Sequence, residues 1–263
     1  MKIDRKMKRL IYSVALFIAF LPALFSQNQQ TAKKTSSNAI TVSRDVPEFQ
    51  SIQINGRFLV KLYNSTKSEV KIVALEEYIP KVETIVENGF LSVRMADNAK
   101  NEKANFFEGL KAKYGDFLVR QPIEIQIGVT NITNIKVNGV TTIQTDSPLK
   151  LQKLNVEIGD ATKANLNLEL EDEFIATVSG ASKMQVSGKT QNLQVYVNGA
   201  SSYEGSDLTA QNVKVVLTGA SRAELQALNS IDATLKGATK LVCTGSPKQI
   251  KQEASVGSSI SIK

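Results

Sequence analysis

The chain has 263 residues, a formal net charge of +7, one cysteine, and neither histidine nor tryptophan. Without histidine there is no Ser-His-Asp or Cys-His nucleophilic catalysis and no His-bearing zinc site. The single cysteine excludes an intramolecular disulfide, and the missing tryptophan removes the largest aromatic face on which a sugar ring could stack.

Residues 1–26 read as an export signal. Lys2, Arg5, Lys6, Lys8 and Arg9 form its charged start, and the apolar run from Leu10 to Phe25 is too short for a bilayer span. Cleavage is expected after Ser26, with an uncleaved anchor as the alternative, and no cysteine stands near the site to carry a lipid. The mature protein is therefore expected to be exported, to the cell surface, the periplasm or the medium, with no integral membrane segment. Those basic residues, set against Asp4, supply four of the seven net positive charges. What remains lacks the basic footprint of a nucleic-acid binder, so none is expected as a partner.

Residues 27–40 are rich in Gln, Ser, Thr and Lys and are expected to form a disordered leader. A single β domain is expected over 41–263. At its start, Ile52-Gln-Ile54 and then Phe58, Val60 and Leu62 alternate on either side of Asn55-Gly56. Val70–Val73 and Leu91-Ser-Val93 read as further short strands, the latter after an Asn88-Gly89 turn. With no twenty-residue period, this stretch is expected to be less regular β structure that covers one end of the C-terminal β region. Residues 98–117 break the pattern as an insertion. Glu102 to Tyr114, with Phe106, Phe107 and Leu110, fit amphipathic helix or a long loop; the aromatics would pack on the β body or form a patch for a partner.

From Ile123, Ile125 and Ile127 the β pattern runs into a five-residue motif that returns seven times, starting at 139, 160, 180, 199, 219, 237 and 256. Gly180-Ala181-Ser182, Gly199-Ala200-Ser201 and Gly219-Ala220-Ser221 are the clearest copies. Apolar residues stand two, four and six places before the starts, as Val197, Val195 and Leu193 do before Gly199, with Thr133 the exception at the first and the pattern decaying to Ala254, Gln252 and Ile250 at the last; this marks a strand with one buried face. The motif is a corner, and Gly139, Asp160, Gly180, Gly199, Gly219, Gly237 and Gly257 are its structural residues, since glycine and, less readily, aspartate accept positive φ. A second turn is placed at Gly188-Lys189, Gly205-Ser206 and Gly245-Ser246. One such repeat buries too little to fold alone, so the copies must stack. The fold class is all-β: a parallel β-solenoid of about seven two-strand rungs of about twenty residues, degenerate at its ends.

The chemistry left is that of carboxylates, Lys, Arg and Tyr. Its one acidic cluster, Glu169, Glu171, Asp172 and Glu173, falls at a turn, where a solvated charge run or a Ca²⁺ site are the two readings. No catalytic residue, cofactor site or metal site is assigned. The third motif position is always a hydroxyl (Thr141, Thr162, Ser182, Ser201, Ser221, Thr239, Ser258), suited to satisfying the corner's backbone. At the fourth position Lys163, Lys183, Arg222 and Lys240 would stack into a basic stripe, a candidate site for an anionic glycan or a device against edge aggregation.

These Gly-Ala-Ser and Gly-Ala-Thr corners, together with the export signal and the opening Phe49-Gln-Ser-Ile52-Gln-Ile54, resemble the auto-transporter adhesin head GIN domain family of Bacteroidetes, over roughly 46–263. The resemblance implies a right-handed β-helix-like fold, adhesion, and no catalytic residues. The sequence is not expected to encode a membrane β-barrel or a sorting domain. The function expected is a non-enzymatic exported binding module for a glycan or other cell-surface component, with a homo-oligomer as a further candidate partner state. Alternatives are a carbohydrate-active β-helix, with carboxylates and Lys or Arg converging in one groove, and a structural envelope scaffold.

Overall fold

The structure, a computed structural model, describes residues 39–96 and 123–263. The expected signal (1–26), most of the leader and the insertion (98–117) lie outside the described residues. In chain order the strands are β1 (Ala39–Asp45), β2 (Ser51–Gly56), β3 (Phe58–Asn64), β4 (Glu69–Leu75), β5 (Val82–Glu87), β6 (Phe90–Met95) and β7 (Ile123–Val129). Then come β8 (Asn134–Gly139), β9 (Thr142–Thr145), β10 (Leu149–Ile158), β11 (Lys163–Val178), β12 (Lys183–Val197) and β13 (Ser202–Gly219). The last four are β14 (Arg222–Gly237), β15 (Lys240–Thr244), β16 (Gln249–Ala254) and β17 (Ser259–Ile262). A 3-10 helix over Glu76–Lys81 buries Tyr78.

The strands coil into a β-solenoid of about six turns, the number enclosed by seven corners. Before the corner, β6, β2, β8, β10, β11, β12, β13, β14 and β16 stack in that order, all parallel. After the corner, β7, β3, β9, β11, β12, β13, β14, β15 and β17 do the same. Each long strand begins in the second stack and ends in the first, one turn further along. The alternation that marked the strands now fixes their register: Ile158, Val178, Val197, Leu217 and Leu235 are aligned rung on rung, and all are buried. Neighbouring columns, such as Phe174, Leu193, Val213 and Ile231, complete one continuous apolar core.

Three expectations change. The second turn does not interrupt the strand: Gly188-Lys189 and Gly205-Ser206 lie inside β12 and β13, which pass the second bend through shifts of register without breaking. The second correction concerns β2 and β3, which form a regular rung: Gly56 stands opposite Gly139 across an 83-residue separation that hid the period. Ala39 and Ile40 belong to β1, because β1 pairs antiparallel with β4 from Ala39↔Leu75 onward. The end-covering role of this region is held by antiparallel strands: β4 lies against β7, β1 against β4, and β5 against β6.

Candidate functional site

At the first corner the motif residues are occupied by the needs of the fold. Gly180, Gly199 and Gly219 have φ of 76°, 77° and 78°. A Cβ on Gly199 would come within 2.7 Å of the Gly180 carbonyl oxygen. Asp160 accepts the same conformation with φ 59°, and its Oδ2 receives the Gly139 amide at 2.8 Å. The third-position residues Thr141, Thr162, Ser182, Ser201, Ser221 and Thr239 are buried, Ser258 is half-buried, and their hydroxyls bond between rungs. Thr141 donates to the Gly56 carbonyl at 2.9 Å, Ser201 to that of Gly180 at 3.1 Å and Ser258 to that of Gly237 at 2.9 Å. The Ser182 hydroxyl accepts the Thr162 amide at 3.3 Å.

One residue further, Lys163, Lys183, Ser202, Arg222 and Lys240 are in register, so the structure brings the stripe together as a single column, exposed at its four basic residues and half-buried at Ser202. It is not uniformly basic. Ser202 interrupts it, Lys183 Nζ contacts Glu204 Oε1 at 2.6 Å, and Glu224 shares a register with Glu204 in the next outward column.

The second bend carries what the sequence did not display. There Lys150, Glu169, Lys189, Thr209 and Gln226 stack in one column, drawn from successive turns. Lys150, Glu169, Lys189 and Thr209 of this column, together with Gln152, Glu171, Gln191 and Gln211, line an open groove of about 810 Å³ that reaches Thr130 and Asn131. Buried Leu151 and Leu170 form its apolar floor. The wall is rigid because the bend is laced laterally. Thr190 Oγ1 lies 3.1 Å from the carbonyl oxygens of both Asp172 and Asn192, and Asn192 donates to Asp172 at 3.2 Å. Asn212 donates to Asn192 at 3.1 Å, and Asn229 to Asn212 at 3.0 Å. The available signal was the step of nineteen and twenty residues between polar positions 150, 169, 189 and 209.

The family match agrees with this architecture: the family described as "Putative auto-transporter adhesin, head GIN domain" matches residues 48–247. The chain belongs to this family. Solved structures share the fold of this head GIN domain. A "putative adhesin" from Bacteroides fragilis has a TM-score of 0.74 at 19% identity, over 87% of this chain and 98% of its own. A "putative adhesin" from Parabacteroides merdae gives 0.56 at 12%, over 87% and 97%. A "Putative lipid binding protein" from Parabacteroides distasonis gives 0.57 at 13%, over 86% and 95%. No curated protein matches the chain.

Within the head GIN domain the acidic cluster divides. Glu169 and Glu171 face the groove, where Glu169 Oε2 is 4.0 Å from Lys150 Nζ. Asp172 and Glu173 turn to the lateral ladders, Glu173 accepting from Gln194 at 2.7 Å. Among the described residues no three His, Cys, Asp or Glu gather closely enough to hold a metal ion. Cys243 is buried, and burial raises its thiol pKa, which suppresses the reactive thiolate. No helix among the described residues is long and apolar enough to cross a membrane.

Proposed function

We propose that this head GIN domain is a non-enzymatic exported binding module that holds a neutral linear glycan of a cell surface along the second-bend groove. The observation that carries this is the groove's lining: carboxamides, hydroxyls and opposed charges contributed by consecutive turns about 4.8 Å apart. Such rows offer donors and acceptors at a repeat close to the length of one hexose. The column Lys150–Glu169–Lys189 alternates in sign, which disfavours a polyanion and leaves a sugar's hydroxyls as the matching partner. Among the described residues the groove lining contains no aromatic side chain, so from these residues each sugar gains only hydrogen bonds worth about 0.5–1.5 kcal/mol. Useful strength would come from many copies on one surface, as adhesion allows.

A glycan array read with the purified chain tests this. Binding to neutral glycans that is lost with Gln191→Ala plus Gln211→Ala, and kept with Lys183→Ala plus Arg222→Ala, is the expected result. The reverse pattern, with binding confined to anionic glycans, would move the site to the corner stripe. A second reading is favoured by Glu169, Glu171, Lys150 and Lys189 meeting in one groove, as a carbohydrate-active enzyme requires. Against it, Glu171 is exposed and Glu169 half-buried in a groove that is open to solvent, with no enclosed cleft around them. Incubation with each bound glycan should release no new reducing or unsaturated ends; release abolished by Glu169→Gln would establish the enzyme.

A further inference from the structure

The two ends of the solenoid are treated differently. At the first, the outer edges of the parallel strands β6 and β7 are taken by antiparallel β5 and β4. At the other end, among the described residues, β16 pairs only with β14 and β17 only with β15, so each presents a backbone edge that no described strand covers. An uncovered edge is a template for another strand. Every residue of β16 is exposed, including Ile250 at 52%, although Ile250, Gln252 and Ala254 continue the inward columns of Ile231, Ala233 and Leu235.

We propose that this end pairs with the same end of a second copy of the chain, through an antiparallel β16–β16 contact centred on Gln252. The sequence of the edge selects that partner and register. About a two-fold axis at Gln252, Lys251 of one copy stands opposite Glu253 of the other, twice. Both side chains point outward, since they lie in register with Asp232 and Thr234, and Lys251 Nζ already sits 3.5 Å from Asp232 Oδ2. The contact therefore extends an acid–base–acid ladder across the junction. Inward, Ile250 meets Ala254 and the two Gln252 carboxamides meet each other, continuing the core columns. Centring on Lys251 or Glu253 sets like charges opposite, and centring on Ile250 or Ala254 leaves the charges unmatched, so the other registers are disfavoured. β17 obeys the same axis. Gln252 stands four residues before Val256, and Ser261 four residues after Gly257, so the two are equidistant from the corner. An antiparallel β17 pair centred on Ser261 puts Ile260 opposite Ile262, the apolar residues that face the core.

Sedimentation velocity of the purified chain over a concentration series should show a reversible dimer. Lys251→Glu or Glu253→Lys sets like charges opposite in both halves and should weaken the dimer at least about tenfold. K251E/E253K together restore opposite charges across the junction and should restore the dimer. Glu253→Gln removes attraction without adding repulsion and should weaken it less than Glu253→Lys, and circular dichroism checks that each variant keeps its fold. A monomer at every concentration overturns the proposal, as does a dimer indifferent to the single reversals, which would place the interface elsewhere. Failure of the double reversal to rescue overturns the register.

Discussion

Tyr203 is fully buried, yet its hydroxyl has no hydrogen-bond partner among the described residues. Its ring lies in an inward column between Met184 and Ala223, and occupies the space above Gly205. A Cβ on Gly205 would sit 2.5 Å from Tyr203 Cε1, so this glycine exists to admit the ring. That is why Gly205 reads as a turn in sequence and is buried inside a strand in the fold: glycine marks absent volume as readily as a bend. Leaving a buried hydroxyl unsatisfied costs about 1–3 kcal/mol. Tyr203→Phe should therefore raise stability by about 1 kcal/mol in urea melts, whereas Gly205→Ala should lower it by about 1–3 kcal/mol through overpacking. The two effects also separate by pH. Burial keeps the Tyr203 phenol protonated well above its ordinary range, while in the unfolded chain it ionises near about 10. Above that pH the unfolded state has released a proton that the native state retains, so the wild type loses stability as pH rises. The phenylalanine variant lacks this loss, and its advantage should widen from about pH 10 upward; an advantage that stays constant would mean the phenol reaches solvent.

Among strands, the alternation that was legible in sequence carries most of the stability. Val197 lies between Val178 and Leu217 in its column, so Val197→Asp would set a carboxylate between apolar rungs and cost several kcal/mol. Lys214→Ser, at an exposed outward position, should stay within about ±0.5 kcal/mol. Gln194 points outward too, and alternation alone would make it an equally neutral site. It nevertheless donates to Glu173 at 2.7 Å and accepts from Tyr196 at 2.8 Å. Gln194→Asp should therefore cost about 1 kcal/mol more than Lys214→Ser in thermal melts, since it loses a donor and sets two acids side by side. The difference shows what a one-dimensional pattern contains. Period two separates inside from outside, but lateral partners come from residues about twenty places away. For the same reason the groove stayed hidden although every rung that builds it was readable. The rung of β2 and β3 stayed hidden because β4 to β7 intervene before its neighbour.

At the scale of the whole solenoid, each turn is held by the turns on either side, so opening should begin where a neighbour is missing. The coil of β16 and β17 has one neighbour and an exposed first strand. Cys243 sits one rung inside it, 0% exposed and in register with Ile262. The thiol thus reports on that end alone: it becomes accessible when β17 lifts, long before the central columns part. In the native chain, labelling with a thiol reagent should be slow but clearly faster than global unfolding measured in the same buffer. Ile262→Asp should speed the labelling severalfold while shifting the urea midpoint only slightly, because the charge loosens the last coil and leaves the inner turns intact. Val178→Asp, deep in the stack, should instead accelerate both together. If the ends pair as inferred, raising the protein concentration should slow labelling of the wild type and leave Glu253→Lys unaffected. Labelling at the rate of global unfolding in every variant would mean that the solenoid opens as a single unit, and that its end coil is no weaker than its centre.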